Sequence, residues 1–206
     1  MTQDSNVVRL FVAIELPDGV RSALSQVQAY MRERSALQKL RWVKPEGVHL
    51  TLKFLGEVAD SQQTAIEDAL DAAVAEIPTF ELTLGKLGKF GGRQNPRILW
   101  VDVDGDEEAL EALGALHSQI EGAMAKLGFP PEGRAFAPHL TLARVPQERG
   151  SEVARPLTRA IDECAPPEGV ITVDDIVLMR SDLGPGGANY TPLHRVPLGE
   201  REGYPV

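Results

Sequence analysis

The chain has 206 residues, 43% hydrophobic and 25% charged, with 15 Pro, 19 Gly and one Cys, proportions that exclude disordered and fibrous classes and fit a soluble globular protein. A net charge of −9 excludes a protein that coats nucleic acid through bulk electrostatics, because that mode neutralises many phosphates. Cys164 has no partner for an internal disulfide, the longest purely apolar run is residues 10–14, and no apolar signal core follows the N-terminus, so a cytoplasmic protein with no membrane partner is expected; the expected oligomeric state is a monomer.

In chain order, the apolar run at residues 9–16 predicts a strand. Residues 18–34 then place Val20, Leu24, Val27 and Met31 at helical steps behind Asp18, a good N-cap or first-turn residue. A strand follows that contains His49-Leu50-Thr51-Leu52, then a helix over residues 61–76 and a strand over 80–87. Residues 82–101 carry Lys86, Lys89, Arg93 and Arg97 and no acid, a local +4 against −13 for the rest of the chain. Such a stretch is either a small-anion site or a solvated loop.

The same order then repeats. Residues 97–103 form a second apolar run, and residues 106–127 place Leu110, Leu113, Leu116, Ile120, Met124 and Leu127 at helical steps behind Asp106. His139-Leu140-Thr141-Leu142 reproduces the first tetrad 90 residues later. A helix over 151–163 and a strand over 170–180 follow; a Gly-Pro-Gly-Gly turn at 184–187 leads to a last strand, about 189–197, expected to form a hairpin with 170–180. The predicted fold is α+β, a single bilobal domain over 1–206. It has two pseudo-symmetric lobes (copies about 8–90 and 97–198), each an antiparallel sheet with two helices, joined around 91–96 with the active cleft between them.

Alternation along a strand puts His49 and Thr51 on one face and Leu50 and Leu52 on the other, and the second motif repeats this. Each motif then offers an imidazole and a hydroxyl about 7 Å apart, anchored by two core leucines. Two such faces meeting across one cleft suit in-line displacement at a phosphorus ester. One neutral His takes a proton from the attacking water and one protonated His supplies the leaving oxygen, while the hydroxyls hold the non-bridging oxygens. This chemistry needs no metal, and neither motif has an acid within the next four positions.

HLTLKFLG at 49–56, PHLTLAR at 138–144 and RLFVAIELP at 9–17 resemble the RNA 2′,3′-cyclic phosphodiesterases of the 2H phosphoesterase superfamily, historically called 2′-5′ RNA ligases, over essentially the whole chain. The resemblance implies hydrolysis of RNA 2′,3′-cyclic phosphate ends to 2′-phosphates without metal; no cofactor is expected, and a small cyclic nucleotide is the other candidate substrate. It makes His49 the proton donor and His139 the acceptor, and it assigns Arg144 to the phosphate. Strand parity opposes Arg144, since an odd offset from His139 puts it on the other face unless a bulge or the strand end re-aims it. The first copy has Phe54 at that place. Alternatives are ATP-independent RNA ligation and a non-catalytic nucleotide or RNA-binding module.

Phe11, Trp42 and Tyr190 are candidates to stack on a base, with core packing favoured for Phe11; Arg41 and Lys44 are candidates to line the cleft. His117 and His194 lack a Thr two places on and read as structural or solvated. Residues 102–106 resemble a calcium loop, but Glu107 and Leu113 stand where the loop needs Gly and a closing acid.

Overall fold

The computed structural model describes residues 7–184 and 187–199. Its strands are β1 (Val7–Ile14), β2 (Arg41–Trp42), β3 (Leu50–Ala59), β4 (Phe80–Gly92), β5 (Asn95–Asp104), β6 (His139–Arg144), β7 (Val170–Val173), β8 (Asp175–Gly184) and β9 (Gly187–Pro197). The helices are α1 (Asp18–Arg32), α2 (Gln63–Val74), α3 (Glu107–Lys126) and α4 (Gly150–Glu163). All four coincide with the predicted helical patterns to within about two residues. Asp106 caps α3, its carboxylate accepting from Ala109 N at 2.8 Å. Asp18 instead lies inside the first turn of α1, where its charge complements the helix dipole.

The strands form one antiparallel sheet in the order β7-β4-β5-β6-β3-β1-β8-β9, with the short β2 also pairing β6. It is two four-stranded halves joined edge to edge at β6 and β3. The third strand of each repeat crosses over: β4 pairs with β5 of the second copy, and β8 pairs with β1 of the first. The two copies are therefore interwoven, and residues 91–96 form the tip of the β4–β5 hairpin.

The predicted single strand over 170–180 is two strands. It breaks at Asp174, after which β7 stays at one end of the sheet with β4 while β8 joins β1 in the other half. The hairpin partner of β9 is thus β8 alone, and its last pairing is Gly184↔Gly187; Pro185 and Gly186 of the predicted turn lie outside the described residues.

The buried leucines of both motifs point to the helix-covered face, in one core with Leu10, Val12, Leu99 and Val101. On the opposite face Phe11, Ala13, Val177 and Met179 form a smaller apolar cluster with Tyr190 packed on it. One charged residue lies in the main core's territory: Lys53, 1% exposed. Its ammonium meets Glu121 Oε1 at 2.8 Å and donates to Pro130 O at 2.7 Å. That ties the first motif's strand to α3 and to the segment leading into the second motif.

Removing one partner of a buried ion pair leaves the other charge desolvated and unpaired, at a cost of about 3–5 kcal/mol. Lys53→Met should therefore lower the unfolding free energy in urea by about that amount. Lys53→Met combined with Glu121→Leu should recover most of the loss; equal losses in the single and double variants would show that the pair is not what holds this contact.

Candidate active site

Leu50 and Leu140 hold the same place in the two tetrads, and they pair with each other across β3 and β6. Equivalent positions facing each other in an antiparallel pair define a local twofold axis through that rung. The His and Thr that flank each leucine lie on the face away from the helices, on either side of this single rung. Opposed residues of such a rung lie about 5 Å apart, so the axis brings the His-Thr faces of the two tetrads next to each other.

Each ring is held the same way. His49 Nδ1 lies 2.9 Å from Gly47 O, and His139 Nδ1 lies 2.7 Å from Ala137 O. A carbonyl only accepts, so Nδ1 carries the proton and donates, which leaves Nε2 as the free basic nitrogen of each neutral ring. The 3-10 turn Pro45–Gly47 presents the first of these carbonyls.

The walls differ between the two histidines. Phe11 stacks on His49 at 4.7 Å between centroids and Tyr190 meets it edge-on at 5.0 Å. His139 has Phe90 edge-on at 4.8 Å and Trp100 at 6.4 Å. Gly88 makes room for that indole, since a Cβ there would come within 2.2 Å of the Trp100 ring.

Burial against its aromatic walls pushes His49 down to about 4, opposed by the Gly47 hydrogen bond; Arg144 lowers it further, Glu15 raises it and His139 lowers it. The two imidazoles are thus within each other's electrostatic reach, and so is the Arg144 guanidinium.

A bulge accounts for Arg144. In β6, Thr141 pairs with Trp100 and Ala143 with Leu99, so Leu142 is an extra residue, and Arg144 comes opposite Ile98. Parity is inverted at that point, and Arg144 shares the face of Ile98, Trp100 and the histidines. The first motif bulges at the equivalent Leu52, between Thr51↔Ala13 and Lys53↔Val12. Phe54 is thereby set opposite Phe11 on the same face, and it is 56% exposed.

Arg41 also reaches this face, because it sits directly across from Arg144. Lys44 is exposed just before the turn that carries Gly47. Tyr190 lies at the site and Phe11 beneath it, only 3% exposed, a floor for His49 with no free surface for a base. Trp42 is not brought to the site. It packs on the helix-side core, donates from Nε1 to Leu37 O at 3.2 Å and carries the Arg32 guanidinium on its ring.

Two cations of the basic stretch lie away from this patch: Lys89 bonds Thr158 of α4 on the helix side, and Arg93 is exposed at the hairpin tip. His117 stacks on Phe136, and His194 meets Asp71 at 2.8 Å. Among the described residues no group of three or more His, Cys, Asp or Glu is placed to hold a metal ion.

Sequence reasoning missed Phe54 as an exposed site residue, Phe90 and Trp100, and the buried Gln28. Gln28 Nε2 donates to Val43 O at 2.8 Å and to Leu142 O at 3.1 Å, and so fixes the bulge residue's carbonyl. The available signal was a lone amide on the apolar face of α1, beside Leu24, Val27 and Met31.

A sheet of two interwoven halves carrying paired His-x-Thr motifs on one face defines a phosphoesterase architecture, and comparison agrees. A family model described as LigT like Phosphoesterase matches residues 14–100 and again 103–190; the chain belongs to this family. It is 31% identical over 187 residues, 90% of this chain and 96% of its relative, to a Methanothermobacter thermautotrophicus protein named RNA 2′,3′-cyclic phosphodiesterase. An Archaeoglobus fulgidus protein of the same name is 30% identical over 90% of this chain and 98% of its own. The crystal structure of E. coli LigT in apo form superposes with a TM-score of 0.71 at 29% identity, covering 95% of this chain and 99% of that one.

The electrostatics of His49 can be checked by histidine NMR titration. Its ring should titrate near 4 in the free protein. Arg144→Gln should raise that value, because a nearby cation is lost, and inorganic phosphate should raise it further. A midpoint at 6.5 that ignores both changes would contradict the placement of Arg144 and of the ring.

Proposed function

We propose that this chain hydrolyses RNA ending in a 2′,3′-cyclic phosphate to the 2′-phosphomonoester, with His49 and His139 as general acid and base and no metal in the reaction. The observation that carries this reading is the Leu50↔Leu140 rung, which faces two His-Thr pairs at one another, each imidazole locked with Nδ1 protonated. The names of the relatives, RNA 2′,3′-cyclic phosphodiesterase, supply the substrate class, and E. coli LigT has been crystallised with 3′-AMP.

In the proposed step His139 Nε2 takes a proton from water as its oxygen attacks phosphorus. The P–O3′ bond breaks, and His49 Nε2 gives its proton to the departing O3′. Thr51, Thr141 and Arg144 hold the non-bridging oxygens and the charge that grows on them. The donor and acceptor labels come from the resemblance to the family. The free protein sets a condition on them, since a ring pushed down to about 4 is neutral at pH 7. The bound phosphodiester supplies the missing counter-charge: an anion beside His49 offsets Arg144 and His139 and raises its proton affinity. Phe54, exposed on the same face beside Phe11, is the surface on which the terminal base would stack.

An RNA oligonucleotide ending in a 2′,3′-cyclic phosphate, incubated with the protein in excess EDTA, should yield a 2′-phosphate end. Dependence on a chelatable metal, a dominant 3′-phosphate or ligated ends would each contradict the proposal.

The division of labour has its own test. His49→Ala should be impaired far less on a p-nitrophenyl phosphodiester, whose leaving group departs without a proton, than on the cyclic phosphate. His139→Ala should be severely impaired on both, because water still needs a base. The reverse pattern would exchange the two labels.

A further inference from the structure

Arg41 and Arg144 stand directly opposite each other on β2 and β6. Opposed residues of an antiparallel pair share a face and have Cβ atoms about 5 Å apart, and like charges placed this way repel. Neither guanidinium has a carboxylate partner among the described residues, although eight other ion pairs in the protein involve arginine. Both side chains are exposed. In a chain of net charge −9, two adjacent unpaired arginines on the histidine face are an energetic cost to the free protein that bound anionic charge would remove.

The position of the pair is one-sided. The pseudo-twofold axis carries Arg144 onto Phe54, so the opposite end of the site offers an aromatic ring where this end offers a cation. One end therefore suits a base and the other suits phosphate. Arg144 acts electrostatically on His49, which places it with the reacting phosphate. Arg41 lies one strand over, a spacing of about 4.8 Å, in reach of a second phosphate but attached to an element that contributes no other group to the chemistry.

We infer that Arg41 is a specificity-determining residue that binds the internucleotide phosphate adjoining the reacting one, so that the site selects the ends of oligonucleotides over mononucleoside cyclic phosphates. The inference rests on the proposed cyclic phosphodiesterase reading and adds a second phosphate subsite to it. Trp42 supports the geometry from behind: its indole is anchored to Leu37 O and the core, which fixes the two-residue strand that aims Arg41 outward.

Three substrates separate the possibilities: a mononucleoside 2′,3′-cyclic phosphate, a dinucleotide with the same cyclic end, and that dinucleotide with its internucleotide phosphate replaced by a neutral methylphosphonate. The wild-type protein should favour the charged over the neutral dinucleotide by about tenfold or more in kcat/KM, mostly through KM. Arg41→Gln should bring that ratio close to one, and Arg41→Lys should keep part of it, since a lysine retains the charge but not the fork. A wild-type protein indifferent to the methylphosphonate, or an Arg41→Gln variant that loses the same factor on both dinucleotides, would overturn the inference. If the wild-type protein opens none of the three, the hydrolase reading fails. Fluorescence anisotropy with labelled charged and neutral dinucleotides then decides the subsite alone. Charge preference lost in Arg41→Gln supports it, and equal binding of the two ligands overturns it.

Discussion

The rung between Leu50 and Leu140 is the constraint on which the site depends. A duplicated unit gains a shared site only if the two copies meet at corresponding positions, and here corresponding residues pair across the local axis. Because β side chains alternate, that single contact buries the leucines of both tetrads beneath the helices and leaves both His-Thr pairs on the opposite face. A one-residue slip of this register would turn the histidines into the core. The exchange of β4 and β8 between the halves holds the register in place, since neither half of the sheet can be assembled from one copy alone.

On this symmetric base the protein has built unlike surroundings. Both rings keep the carbonyl two residues back as their Nδ1 acceptor, because that bond fixes which nitrogen is free, and both motifs keep a bulge at the second leucine. Around that shared frame, His49 lies on Phe11 beneath Tyr190, whereas His139 stands against Phe90 and Trp100. The residue each bulge aims at the site is Phe54 in one copy and Arg144 in the other. Chemistry on an ester with two inequivalent oxygens requires this kind of difference, since a truly twofold site could not tell leaving oxygen from retained oxygen.

Much of this was legible in the sequence, for identifiable reasons. The four helices follow from apolar spacing near 3.6, and the shared face of His and Thr follows from the period of two. Features set by tertiary pairing were not legible. Strand parity opposed the Arg144 that the resemblance assigned to the phosphate, and the bulge at Leu142, held by Gln28 and Val43, turns its side chain to the histidine face. The continuous pattern over 170–180 hid a break at Asp174 because apolar residues run on through both strands, although β7 is buried on one face and β8 on both over Ile176–Met179, each with different partners. Lys53 reads as a solvent residue until Glu121 and Pro130, 68 and 77 positions away, are brought to it. Trp42 looked like a stacking platform beside the motif, yet alternation against Arg41 turns it toward the core.

If both copies of the motif hold one phosphate jointly, a crystal structure with a nucleoside 2′-phosphate bound will show it. One phosphate group should lie with oxygens about 2.7–3.1 Å from Nε2 of both His49 and His139 and from the hydroxyls of Thr51 and Thr141. A phosphate seated on one motif alone, or away from the Leu50–Leu140 rung, would contradict it.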